Sequence, residues 1–267
     1  MAIADAGEVQ LSYERSGSGP PLLLIMGMSG TQRHWGEPFL SDLRRDFEVI
    51  VYDHRGVGES SRMAQPFTIA ELAQDAAGLL AALDIARAHV VGISMGGMIA
   101  QELVLAHPQL IDTLTLGCTY CGGEGSSLTT QDVLQELTEA ALSGDRDRAL
   151  RAAWEANVSA ELAADPGAWE TFRAIGRERA VALPVVMAQM QAIGGHDTSI
   201  RLDGVRAPTL VVHGTADQMI PVANAHVIAG HIPDARVEIF DGVGHLFFWE
   251  RPQRSAELVR GHALVAA

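Results

Sequence analysis

The chain has 267 residues, of which 48% are hydrophobic and 19% charged, so its length and composition suit one large globular domain with a sizeable core. Its formal net charge of −14 at pH 7 argues against attraction to nucleic acid or to an anionic membrane surface. No apolar run approaches the ~20 residues of a membrane span and the first residues lack the basic region of a secretory signal, so we expect a cytoplasmic protein.

The first half of the chain alternates strand-like and helix-like segments. The apolar runs predict strands at residues 8–13, 22–26, 47–52, 90–93 and 110–116. One helix is predicted to begin after Thr68, because Glu71 three residues later completes a capping-box pattern, and another to end near His107 and Pro108. Since the strands are continuous apolar runs rather than alternations, we expect a largely parallel sheet.

The composition changes between about residues 120 and 201, where Ala, Glu and Arg dominate. Helix starts are predicted at Thr129, with Asp132 three residues on, and at Asp165-Pro166. Strand-like runs return at residues 209–213 and 236–240, and a final helix is predicted to begin near Pro252. The pattern therefore predicts an α/β core at 1–119 and 202–267, interrupted by a helical insertion at 120–201.

Two cysteines, Cys118 and Cys121, are spaced C-x-x-C. A zinc site needs about four ligands and no second pair exists, so we interpret them as free thiols in a loop rather than as a metal or redox site. Neither a metal nor a cofactor is expected.

The segment from Gly92 to Gly96 has the pattern Gly-x-Ser-x-Gly between a predicted strand and a predicted helix. Glycines on both sides of Ser94 would let the chain turn sharply and expose the hydroxyl as a nucleophile. The N–H of Met95, at the helix N-terminus, would then donate to an oxyanion. Without its flanking elements, the motif would equally fit an ordinary strand–turn–helix junction.

A serine nucleophile needs a base that a third group orients. His245 is favoured as the base, since it follows the last predicted strand in a glycine-rich loop; His213, its main rival, is better explained as a packed strand-end residue. Asp217 is favoured as the acid, because it follows a strand where side chains converge at the edge of a parallel sheet, although it could instead cap the helix near Pro221. The weaker candidates for the acid are Asp203 and Asp241.

The loop after the strand at 22–26 should supply the second oxyanion donor, for which we choose the N–H of Met28. Residues near the predicted nucleophile and base and in the insertion, most of them apolar, are candidates to line a substrate pocket. These candidates are Gly27, Ser29, Trp154, Met187, Met190, Leu246 and Phe247. For those in the insertion, packing between helices is the competing interpretation.

Taken together, these motifs resemble the α/β-hydrolase fold superfamily over nearly the whole chain. Ser94, Asp217 and His245 follow its Ser…Asp…His order, residues 53–60 resemble its D-x-R-G-x-G-x-S turn, and the insertion resembles its cap domain. The resemblance implies an eight-stranded, mostly parallel α/β sheet with helices on both faces and a helical cap. Met26 stands where most members have His, and residues 23–28 look closest to an esterase subgroup that includes polyketide methyl esterases.

The leading functional hypothesis is a serine hydrolase that cleaves a small, largely apolar carboxylic ester through an acyl-enzyme. Three alternatives use the same fold: a lactonase or C–C (β-diketone-type) hydrolase, a cofactor-free haloperoxidase or perhydrolase, and a non-catalytic ligand-binding protein. The expected partner is a small-molecule substrate, with no nucleic acid or membrane, and a homodimer is left open.

Overall fold

The protein is described by a computed structural model that covers residues 1–178 and 180–265. Within those residues the strands are β1 (Ala2–Asp5), β2 (Gln10–Gly17), β3 (Pro21–Ile25), β4 (Glu48–Tyr52), β5 (Ala88–Ile93), β6 (Ile111–Gly117), β7 (Thr209–Gly214) and β8 (Arg236–Phe240). The helices are α1 (Glu37–Leu43), α2 (Ile69–Ala82), α3 (Met95–Ala106), α4 (Gln131–Leu142), α5 (Arg146–Asn157), α6 (Ala160–Ala163), α7 (Pro166–Glu178), α8 (Leu183–Gly194), α9 (Ala223–His231), α10 (Phe247–Glu250) and α11 (Pro252–Val265). No helix among them is both long and apolar enough to cross a membrane.

The strands form one eight-stranded sheet in the order β1-β2-β4-β3-β5-β6-β7-β8. The strands from β4 to β8 in this order pair in parallel, whereas β1 and β2 are antiparallel at one edge. Every residue of β5 and β7 is buried, which explains why these strands read as apolar runs in the sequence. The predicted mostly parallel sheet is confirmed, but β1 was missed because a strand of four residues with one buried position is too short to show a pattern.

Helices cover both faces of the sheet, as predicted. Alternate β3 residues point to opposite faces: Leu23 joins the core formed with α2, α3 and α9, and Leu24 joins the core formed with α1, α10 and α11. The carboxyl ends of the central strands are therefore held between two packed layers, and the loops that follow them meet at one edge.

Local signals fix several helix ends. Thr68 and Glu71 form the predicted capping box, with the Thr68 N–H donating to Glu71 Oε2 at 2.7 Å and the Glu71 N–H donating to Thr68 Oγ1 at 3.2 Å. Asp165 Oδ1 accepts from the N–H groups of Gly167 and Ala168 at the start of α7, as expected for an N-cap.

The start predicted at Thr129 was one residue too early, because α4 begins at Gln131 after the N-cap residue Thr130. Thr129 Oγ1 instead donates to the Gln218 carbonyl at 2.8 Å, so its side chain ties the loop before α4 to the loop after β7.

Among the described residues, the α-helices α4 to α8 lie between β6 and β7 in the chain. Trp154 of α5 and Phe172 of α7 contact each other with ring centroids 5.0 Å apart, and both contact Trp249 of α10. This aromatic cluster attaches the helical segment to the sheet domain beside the loop that carries His245. The division at residues 119/120 and 201/202 stays a prediction.

Candidate active site

Ser94 lies at a sharp turn between β5 and α3, with a positive φ of 54° that a residue with a side chain rarely adopts. Its N–H donates to Gly117 O at 2.9 Å, and its carbonyl accepts from Thr119 Oγ1 at 2.7 Å. Hydrogen bonds to the end of β6 therefore hold the strained backbone, and Ser94 remains partly exposed.

The two motif glycines are required by close backbone contacts. A Cβ on Gly96 would collide with the Ile25 carbonyl, and one on Gly92 would collide with the Gly96 carbonyl. A Cβ on Gly27 would lie 3.0 Å from Ser94 Cβ, so the loop after β3 passes directly beside the serine. The sequence pattern thus follows from the tight packing of three backbone segments around Ser94.

Both predicted oxyanion donors lie in this turn region. Met95 is the first residue of α3, where an N–H has no acceptor within the helix. Met28 directly follows Gly27, and its N–H donates to no acceptor in the described part of the chain. Neither N–H group therefore has a protein acceptor among the described residues.

The loop that carries Met28 is anchored at both ends. His54 Nε2 donates to the Met26 carbonyl at 2.8 Å, and burial lowers the pKa of His54, so the ring is neutral with its proton on Nε2. The Gln32 N–H donates to Asp53 Oδ1 at 2.7 Å. The His54 anchor could not be predicted, because His54 and Met26 are separated by 28 positions and the motif around Asp53 predicts only a turn.

Asp217 and His245 are in direct contact. His245 Nδ1 donates to Asp217 Oδ2 at 2.7 Å, while Asp217 Oδ1 accepts from the N–H groups of Met219 and Ile220 at 2.8 and 2.9 Å. Burial would raise the pKa of Asp217, but the facing His245 and His213 outweigh it and hold the pKa well below its usual value. The carboxylate is therefore ionised, and it keeps the His245 proton on Nδ1, leaving Nε2 as the acceptor.

His213 is also within reach of Asp217, although the sequence suggested only a packed strand-end residue. Its Nε2 lies 3.1 Å from Asp217 Oδ2 and 2.8 Å from the Ile220 carbonyl, and the side chain is fully buried. One carboxylate oxygen thus faces two imidazoles. No hydrogen bond joins Ser94 Oγ to His245 among residues 1–178 and 180–265.

Cys118 follows β6 between the loops of Ser94 and Asp217. The Cys118 sulfur, a carboxylate oxygen of Asp217 and a ring nitrogen of His245 lie within 4.8 Å of one another. Such a set of ligand atoms could in principle bind a metal. Burial raises the pKa of the Cys118 thiol well above its usual value, however, and metals bind the thiolate. His245 Nδ1 and Asp217 Oδ2 are moreover bonded to each other, so the cluster is better suited to proton transfer than to metal binding. Both cysteines are free and buried.

The predicted pocket residues are not all brought together. Gly27 and Ser29 flank Met28 beside Ser94, and Leu246 directly follows His245 and is partly exposed. Trp154 and Phe247 are buried in aromatic packing, Trp154 with Phe172 and Phe247 with Phe240 and Phe248. For these two, packing explains the side chain without a substrate.

Met187 and Met190 lie on the exposed side of α8, with 56% and 38% of their surface accessible. An open groove of about 590 Å³ lies beside the first turn of α8. Its lining includes Pro184 and Val185 of this helix and Gly56 and Met63 from the segment between β4 and α2. None of the predicted site residues lines this groove.

Comparisons with known proteins agree with this fold. A family model described as the alpha/beta hydrolase fold matches residues 20–252. A putative carbamate hydrolase, RutD, of Azorhizobium caulinodans is 32% identical, with 98% of this chain and 97% of the relative covered. Among solved structures, a hydrolase from Pseudomonas aeruginosa PA01 has a TM-score of 0.84 at 28% identity, covering 98% of this chain and 97% of its own. The enol-lactonase from Burkholderia xenovorans LB400 also has a TM-score of 0.84, at 25% identity, covering 98% and 100%.

Proposed function

Because this chain belongs to the alpha/beta hydrolase fold family and is a hydrolase, we propose that it cleaves a small, largely apolar carboxylic ester with Ser94 as nucleophile, His245 as base and Asp217 as acid. The observation that carries the proposal is the contact between His245 Nδ1 and the ionised Asp217, at the sheet edge where the strained Ser94 turn also lies. A serine in that turn needs such a base to react at neutral pH.

The reaction then proceeds in two halves. His245 Nε2 takes the Ser94 hydroxyl proton while Oγ attacks the ester carbonyl, and the tetrahedral oxyanion accepts hydrogen bonds from Met28 and Met95 N–H. His245 returns the proton to the departing alcohol, which leaves an acyl group on Ser94. Water, activated by the same imidazole, releases the acid. The missing Ser94–His245 hydrogen bond is compatible with this scheme, since such bonds often tighten only when substrate is bound.

A lactone is the second candidate substrate, favoured by the structural similarity to the Burkholderia enol-lactonase. The same residues would open the ring, because a lactone is a cyclic ester. The name of the Azorhizobium relative adds carbamates to the compounds worth testing. C–C cleavage and perhydrolysis stay predictions from the sequence.

The test combines active-site labelling with a substrate panel. A fluorophosphonate should label the wild type on Ser94 and leave Ser94→Ala unlabelled. Aryl esters, lactones, carbamates and β-diketones should then be compared by kcat/KM, and we expect the esters to be cleaved fastest. An unlabelled Ser94, or full activity in Ser94→Ala, would refute the proposed nucleophile; faster lactone cleavage would select the second candidate.

A further inference from the structure

Helix α8 presents an unusual residue to the sheet domain. Among the described residues, its buried positions are Val185, Ala188, Gln189 and Ala192, which are spaced as one helical face. Three of them are small or apolar, whereas Gln189 is an amide with none of its surface exposed. A buried amide must find hydrogen-bond partners or cost stability, so this position calls for an explanation.

The partner of Gln189 lies in the loop beside the nucleophile. The Ser29 N–H donates to Gln189 Oε1 at 2.9 Å, across 160 positions of sequence. A backbone N–H can only donate, so the contact fixes which end of the amide faces the loop. The other end, Nε2, is buried and donates to no acceptor in the described part of the chain.

Ser29 occupies a strained position that the contact can maintain. Its φ is 60°, and the Gly30 N–H closes the turn by donating to the Gly27 carbonyl at 3.3 Å. Gly27 leaves no room for a Cβ beside Ser94, and Met28, the proposed oxyanion donor, lies between Gly27 and Ser29. The orientation of the Met28 peptide is therefore set on one side by Ser94 and on the other by Gln189.

We propose that Gln189 is a positioning residue that aims the Met28 N–H at the reacting oxygen. Catalysis then depends on how α8 packs against the sheet domain. The inference rests on the proposed function for its catalytic consequence. The other anchors of the loop, His54 on Met26 and Asp53 on Gln32, come from the sheet domain. Gln189 instead comes from the helical segment, so displacement of α8 would release the loop near its centre.

Two substitutions test whether the Oε1 acceptor of Gln189, and not its unpartnered Nε2 group, is what matters. Gln189→Met keeps the side-chain length but removes the oxygen, whereas Gln189→Glu keeps an oxygen that can accept from Ser29. Gln191→Met makes the same change on the exposed side of α8 and serves as the matched control.

The first measurement is amide hydrogen exchange of the peptide covering residues 24–34, which needs no turnover. We expect Gln189→Met to raise exchange in this peptide about tenfold or more, and Gln189→Glu and Gln191→Met to exchange as the wild type does. Wild-type exchange in Gln189→Met would overturn the proposed contact.

The second measurement is ester hydrolysis. A displaced oxyanion donor should lower kcat of Gln189→Met by about 10- to 100-fold with KM changed less than about threefold, while Gln189→Glu stays within about threefold of the wild type. Equal losses in Gln189→Glu and Gln189→Met, or unchanged kcat in both, would overturn the positioning role. A wild type not labelled at Ser94 would instead count against the proposed function, while the exchange measurement still tests the contact.

Discussion

At the scale of single residues, the site depends on how one carboxylate is surrounded. Asp217 accepts backbone N–H groups on Oδ1 and faces two imidazoles on Oδ2, so all of its neighbours are donors. An amide in place of this carboxylate can therefore take only one orientation. A substitution at Asp217 thus tests the His245 tautomer more directly than a substitution at Ser94 does.

We expect Asp217→Asn to fold but to lose about 10³- to 10⁴-fold in kcat. The Asn oxygen must accept from the N–H groups of Met219 and Ile220, so its NH₂ group faces His245. Two hydrogen-bond donors, this NH₂ group and His245 Nδ1–H, then point at each other. The kinetics should be read beside far-UV circular dichroism of the same samples. An Asn variant with near wild-type kcat would show that Asp217 is not the acid.

The buried histidine His196 should make stability depend on pH. Burial lowers its pKa from 6.5 to about 4, although Glu102 lies 4.0 Å away, and neither ring nitrogen has a hydrogen-bond partner among the described residues. The folded state therefore binds the proton less well than the unfolded state does, so stability falls as the pH drops from about 6.5 toward 4.

Between pH 7.5 and 4.5 this group should remove about 2 to 3 kcal/mol of the unfolding free energy. His196→Phe keeps a ring and loses no hydrogen bond, so its unfolding free energy should fall by that much less over the same interval. Urea unfolding at the two pH values measures the difference. Parallel losses in the variant and the wild type would contradict the assignment.

At the scale of elements, helix ends were easier to predict than the contacts those helices make. The capping box before α2 and the N-cap of α7 are local patterns that a sequence records directly. The start of α4 was misplaced because two adjacent threonines look alike, and only a long-range bond to Gln218 distinguishes Thr129.

The same helix ends give a matched stability prediction. Thr68→Ala should cost about 1 kcal/mol, because it removes the acceptor for the Glu71 N–H and its own bond to Glu71. Thr130→Ala makes the same change at the N-cap of α4, where the side chain makes no capping bond, and should cost less than half as much. Chemical denaturation of both variants tests the pair; equal costs would contradict it.

At the scale of the whole molecule, most strands, several helix ends and the contact between Asp217 and His245 were predictable, because apolar runs and glycine patterns are local. The antiparallel strand β1 was not, since it has only four residues and buries one of them. The contacts His54–Met26, His213–Asp217 and Gln189–Ser29 were also missed. They depend on which loops the sheet order brings together, and residue types alone do not show that.

Trapping of the acyl-enzyme is the sharpest test of Ser94 as the nucleophile. The wild type, mixed with an aryl ester and quenched in acid within its first turnovers, should carry the acyl mass on the peptide containing Ser94. Ser94→Ala should show neither the adduct nor the burst of released phenol. Turnover of the ester without any acyl group on Ser94 would contradict the account.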